Sequence, residues 1–144
     1  MKASEIMIGD WVNVRDSETP KQVKGLKQAD VILGTKWFEA GTWFVLIDDV
    51  WWELRYIKPI PLCRVHLVKN GFKVQDADDA LFIYKDNECK ISIRFDNSCE
   101  GMGLPPVIFM SIEGADFDMN KPVEYVHELQ QAMKVLGIEK NIEL

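Results

Sequence analysis

Between residues 123 and 138 the apolar positions recur at helical spacing. Val126, Leu129, Met133 and Leu136 lie three, four and three residues apart, with Tyr125 and Ala132 beside them. At ~100° per residue they form one stripe, and Glu124, His127, Gln131 and Lys134 fall on the opposite, solvated side. The pattern predicts a helix from Val123 to Leu136. Pro122 suits its first turn, where a missing N–H costs nothing, and Asn120 or Asp118 supplies the cap. Gly137 takes the left-handed conformation past the last turn, so that Ile138 folds back onto Met133 or Lys134. A helix with one apolar stripe buries it on a partner. The partner of matching size is the strand-rich segment before it.

In that segment Cys89, Ile91, Ile93 and Phe95 alternate with Lys90, Ser92 and Arg94, the period of a half-buried strand. Leu81–Tyr84 and Val107–Ile112 are further strands. Asp76–Asp79 and Lys85-Asp86-Asn87-Glu88 are turns, and 97–106 and 113–120 are loops. Cys63–Lys69 makes about two helical turns stopped by Asn70-Gly71, with Leu62, Val65, Val68 and Phe72 sharing a face. The tail 142–144 either docks as a short strand or frays.

The first half is β-prone, with period two at Val12–Arg15 and over Val50–Tyr56 and a turn or loop over Asp16–Gln22. Residues 6–15 predict a strand and residues 23–33 one strand or two, with Gly25 as a bulge or bend. Gly34-Thr35 turns the chain. Trp37-Phe38 and Trp43–Ile47 are β-prone, Asp48-Asp49 turns, and Val50–Tyr56 alternates again. Lys58-Pro59-Ile60-Pro61-Leu62 is an extended connector, since its prolines remove ladder donors. Four or five short strands without a helix must curl to bury a face. The expected class is α+β. An N-terminal SH3-like barrel or an open meander, residues 1–58, is followed by an antiparallel sheet covered by one C-terminal helix, residues 59–144.

Charge supports that boundary. The net charge is −6. Residues 1–61 carry eight Lys/Arg and nine Asp/Glu, and residues 62–144 carry nine and fourteen. An acidic second half repels phosphate, which disfavours nucleic-acid binding there and leaves it open for the first half. The five tryptophans, Trp11, Trp37, Trp43, Trp51 and Trp52, all lie in the first half. No apolar run reaches the ~18 residues of a membrane span, and the start lacks the apolar region of a signal peptide. Three scattered cysteines are not a disulfide framework, so a cytoplasmic, reducing location is expected.

Candidate chemistry is thin. His127-Glu128-Leu129-Gln130-Gln131 departs from the zinc-peptidase His-Glu-x-x-His at its fifth residue, and an amide is a poor zinc ligand. Cys89 shares the phase of a strand core, and Cys99 has no histidine near it in sequence. Asp76, Asp78 and Asp79 lack calcium-loop spacing. Gly101-Met102-Gly103 is not a dinucleotide fingerprint. No catalytic residue, metal or cofactor is expected. Trp51 and Trp52 are the candidate binding residues. Neighbours on a strand point to opposite faces, so one of them leaves the core.

Gly9-Asp10-Trp11-Val12, Lys58-Pro59-Ile60-Pro61-Leu62, Lys69-Asn70-Gly71-Phe72, Tyr125–Ala132 and Leu136-Gly137-Ile138 together resemble a family of small proteins of Bacteroides-type genomes, often carried on prophages or other mobile elements. Its members often carry His at the place of Gln131, and acidic residues at the place of Cys63-Arg64-Val65-His66. The resemblance implies a bacterial or phage context and brings no activity and no functional residues. The reading is therefore a non-enzymatic interaction or adaptor protein with a protein partner. A nucleic-acid-associated module using the first half is the alternative, and a metal-dependent hydrolase using the His127-Glu128 helix is the distant one.

Overall fold

The computed structural model describes residues 1–29, 41–75, 78–86, 89–97, 106–113, 118–138, 140 and 142–144. The chain divides into two compact units, Met1–Ile60 and Pro61–Leu144. Gly34-Thr35, Trp37-Phe38, Asp76, Asn87-Glu88, Cys99 and Gly101-Met102-Gly103 lie outside the described residues.

The first unit contains β1 (Trp11–Val14), β2 (Lys21–Gln22), β3 (Gly25–Gln28), β4 (Trp43–Ile47), β5 (Val50–Glu53) and β6 (Ile57–Pro59). They make two antiparallel sheets, ordered β2-β1-β6 and β3-β4-β5. The pairings among the described strands do not run round a closed barrel. Short strands with polar turns still bury a common face, because Val12, Val45, Ile47 and Ile57 alternate inward. They join Ile6 and Val23 in one core, with Met1, Val14, Leu26, Trp52 and Leu54 packed against it. The buried carboxylate of Asp10 fastens the entry to β1 by accepting the Met7 N–H at 2.8 Å.

Two expectations change here. The predicted strand Val50–Tyr56 stops at Glu53, and Leu54–Tyr56 is a single 3-10 turn. The predicted connector begins later, because Ile57–Pro59 is an edge strand with Pro59 opposite Val12. An edge tolerates a residue without an N–H, since only one side of the strand is paired.

The second unit contains α1 (Arg64–Lys69), β7 (Lys73–Gln75), β8 (Asp78–Asp86), β9 (Cys89–Asp96), β10 (Val107–Glu113), β11 (Asp118–Pro122) and α2 (Val126–Val135). The strands form one five-stranded antiparallel sheet, β11-β10-β9-β8-β7. Its register aligns Phe82, Ile93 and Met110 in one row and Tyr84, Ile91 and Ile112 in the next, with Phe95 opposite Ile108. All of these but Tyr84 are buried. The intervening residues, including Lys90, Arg94 and Glu113, form the other face, where Lys90 pairs with Glu113 at 2.9 Å. Strands preceding a helix make the chain α+β.

The C-terminal helix starts three residues later than predicted. Pro122 ends β11, opposite Phe109, so Asn120 and Asp118 are strand residues rather than caps. The cap is Tyr125, and the Glu128 carboxylate accepts the N–H groups of Glu124 and Tyr125 at 2.7 and 3.0 Å. The stop is as expected. Gly137 sits at φ 71°, its N–H donates to the Lys134 carbonyl, and the Ile138 N–H donates to the Met133 carbonyl. That is the Schellman arrangement. Val126, Leu129 and Met133 are buried.

The expected face of the first helix is corrected. Val65 and Val68 are 60% and 57% exposed, while Leu62, Leu67 and Phe72 are buried. The helix is too short to carry a full stripe, and Leu67 fills the inward position. Asp78 and Asp79 belong to β8 rather than to a turn. The expected loop 113–120 is likewise strand at its described ends, since Glu113 closes β10 and Asp118 opens β11.

Candidate functional site

The register of the hairpin β4–β5 separates the two candidate tryptophans. Trp52 stands opposite Val45 and Trp51 opposite Leu46. Val45 points into the core, so Trp52 lies on the core side and Trp51 on the outer side. Trp51 is 40% exposed. Its ring passes over Gly25, where an added Cβ would stand 3.4 Å from Cη2. Gly25 starts β3 opposite Leu46 with no shift of register, so it is not a bulge. The Lys27 ammonium lies 4.0 Å from the Trp51 ring centre. On this face the sheet offers an aromatic plane with a cation on it.

Trp52 borders an open groove of about 520 Å³. Val14, Ile47, Val50 and Trp52 give it an apolar floor, and Arg15, Asp16, Ser17, Lys21 and Asp48 surround it. Two turns shape the rim. Asp48 and Asp49 hold φ values of 47° and 64°, the type I′ geometry of a two-residue hairpin loop. Arg15 is left-handed as well, at φ 54°, with its N–H bonded to the Tyr56 carbonyl at 2.7 Å. A bulky residue in that region is uncommon and is held there by its surroundings.

The rim charges are not equivalent. Lys21 pairs with Asp48 at 2.7 Å and Lys58 with Asp16 at 2.8 Å. The hydrogen bonds from Lys21 and Lys58 hold the Asp48 and Asp16 carboxyls below the usual carboxylate range. Arg15 forms no ion pair among the described residues. Its guanidinium carbon lies 5.1 Å from the Trp52 ring centre and 4.9 Å from that of Tyr56. Two aromatic faces thus orient a cation that remains exposed at the groove. Sequence reasoning found Trp52 but not Arg15, because the stacking joins residues far apart in the chain.

The polar side of the predicted C-terminal helix is solvated at Glu124 and Lys134, as the helical phase implied, but not at His127. His127 is 4% exposed and lies nearly parallel to the Tyr125 ring, centroids 5.7 Å apart. Gln130 is buried too. Glu128, the second residue of the zinc-peptidase-like pattern, holds the helix start. Among the described residues no three His, Cys, Asp or Glu side chains gather as a metal site. One close pair went unweighed in the sequence: Cys63 Sγ lies 3.3 Å from His66 Nδ1. The signal was the spacing Cys-x-x-His at the start of a predicted helix. Cys89 is half-buried in β9.

Among the described residues no helix is long and apolar enough to cross a membrane. Comparison with known protein families, with curated proteins and with solved structures finds no match for this chain.

Proposed function

We propose that this protein is a non-catalytic interaction module whose first unit seats an extended segment of a protein partner in the groove beside Trp52. Arg15 receives a carboxylate of that segment. The carrying observation is the stacked guanidinium of Arg15, without an ion pair among the described residues, at the mouth of an apolar groove whose other rim charges are matched within the chain. A planar fork held against aromatic rings recognises a carboxylate bidentately. The apolar floor takes the neighbouring side chains. Two small sheets over one core, with an aromatic groove, suit an SH3-like peptide-binding module. The resemblance to small prophage-borne bacterial proteins is compatible with a bacterial or phage setting for such a module.

Selection of displayed peptides on the immobilised protein tests this reading. Expected winners carry Asp, Glu or a free C-terminus next to apolar residues. Arg15→Gln is expected to weaken them roughly tenfold or more, as loss of a charge-assisted contact does. Winners without an acid, or winners indifferent to Arg15→Gln, overturn it. The nucleic-acid alternative predicts something else. A labelled single strand would bind near Trp51 and Lys27, with affinity falling steeply as salt rises.

A further inference from the structure

The backbone of Cys63 is extended, at φ −136° and ψ 165°, and α1 begins at the next residue. A residue in this place ordinarily turns a side-chain oxygen onto the free N–H groups of the first turn. Cys63 makes no such bond. Its Sγ instead lies 3.3 Å from Nδ1 of His66, three residues on, where the helix brings the ring back over its start. The His66 backbone is held in its turn, because its carbonyl accepts both the Asn70 N–H at 3.2 Å and the Asn70 side-chain amide at 2.7 Å. Burial, and then the nearby Lys69, push the His66 pKa down. The imidazole is accordingly neutral at neutral pH, and its Nε2–H tautomer leaves a lone pair on Nδ1 to accept the thiol proton. Both side chains are only half-buried.

We propose that Cys63 and His66 are a nucleophile–base pair that reacts with small disulfides. In the step, His66 Nδ1 takes the thiol proton as Sγ attacks one sulfur of the disulfide. A bond forms from Cys63 to that sulfur, the original S–S bond breaks, and the leaving thiolate is reprotonated from His66. One disulfide and one thiol give one mixed disulfide and one thiol. Thiolate attack in this sense governs exchange, and a base within hydrogen-bond reach is what activates a weak nucleophile. The product places a reversible adduct on Cys63, independently of the groove in the first unit.

Cys89 supplies an internal control, as the other described cysteine and equally half-buried. The two described histidines are His66, beside Cys63, and His127, which stacks on Tyr125. The reduced full chain is treated at neutral pH with limiting iodoacetamide, and separately with oxidised glutathione. Peptide mass spectrometry then gives the rate at each cysteine. Cys63 is expected to react ~10-fold or more faster than Cys89, since an ordinary thiol is only a few per cent thiolate at this pH. His66→Asn keeps an acceptor near Nδ1 but cannot take the proton, and should bring Cys63 down to the rate of Cys89. Equal rates at Cys63 and Cys89 in the parent chain overturn the proposal. So does a His66→Asn chain, folded by its circular dichroism, in which Cys63 keeps its advantage. Should that variant not fold, His66→Gln and the parent-chain ratio decide.

Discussion

The side-chain amide of Asn70 pairs with the backbone of Glu143 on both edges. Its Nδ2 donates to the Glu143 carbonyl at 2.8 Å, and its Oδ1 accepts the Glu143 N–H at 2.8 Å. One side chain thus imitates a strand partner for the C-terminal tail. The same residue ends α1, and Lys140 Nζ donates to its carbonyl at 2.6 Å. Asn70 is fully buried, so its polar atoms have no water to fall back on. Asn70→Ala should destabilise the chain by about 1–3 kcal/mol, the cost of leaving buried backbone groups unmatched. Deleting residues 142–144 should cost less in the Asn70→Ala background than in the parent, because both changes remove one shared contact. Urea unfolding of the four variants measures the coupling. Strict additivity would mean that the pairing does not hold the tail.

Leu129 is buried at the centre of the α2 stripe. Leu129→Ala should cost ~2–5 kcal/mol, the range for truncating a buried leucine. Val135, on the same helix, is 81% exposed. Val135→Ala should lie within about 0.5 kcal/mol of the parent, as surface changes do. Similar melting of both variants would contradict the burial of the stripe.

The Asp48-Asp49 turn has both central residues at positive φ. Gly takes this conformation without a Cβ clash, so Asp49→Gly should stabilise the hairpin by up to about 1 kcal/mol. The Lys24–Asp49 pair that it removes is long, at 3.6 Å, and exposed. Such a pair contributes little. A fall in melting temperature on Asp49→Gly would show that the pair outweighs the turn strain.

His66 ties stability to pH. Its pKa is held below the usual imidazole value of 6.5 by burial and then by Lys69. The unfolded chain therefore takes up a proton first as pH falls. The stabilisation is complete above pH 6.5 and is lost as pH falls through the folded pKa. His66→Gln should flatten this part of the stability profile, measured by urea unfolding at a series of pH values. A parent profile unchanged by His66→Gln would show that the ring titrates alike in both states.

Trp51 and Trp52 should differ although they are neighbours. Trp52 packs against the first core, whereas Trp51 lies on the outer face over Gly25 and Lys27. Trp52→Ala should cost about 3–5 kcal/mol at most, and Trp51→Ala clearly less, since it opens no core cavity. The reverse order in thermal melts would exchange the two faces of the hairpin.

The sequence by itself determined what local pattern governs. The alternation through Cys89–Phe95, the run Trp43–Ile47, the Asp48-Asp49 turn and the stop at Gly137-Ile138 were readable because each depends on neighbours within a few residues. It also required that Trp51 and Trp52 part company, since a strand alternates. Which of them turned inward was decided only by pairing with β4, where Trp52 meets Val45 and Trp51 meets Leu46. Pro122 is a further case: local chemistry suits it equally to a first helical turn or to the end of an edge strand. Pairing with Phe109 chose the strand. His127 was buried against its helical phase because burial depends on what packs around a helix, not on its own period. Arg15 between Trp52 and Tyr56, and Asn70 against Glu143, lie beyond any local pattern. Contacts across forty or seventy residues exist only once the chain has folded, and they are what define the groove and hold the tail.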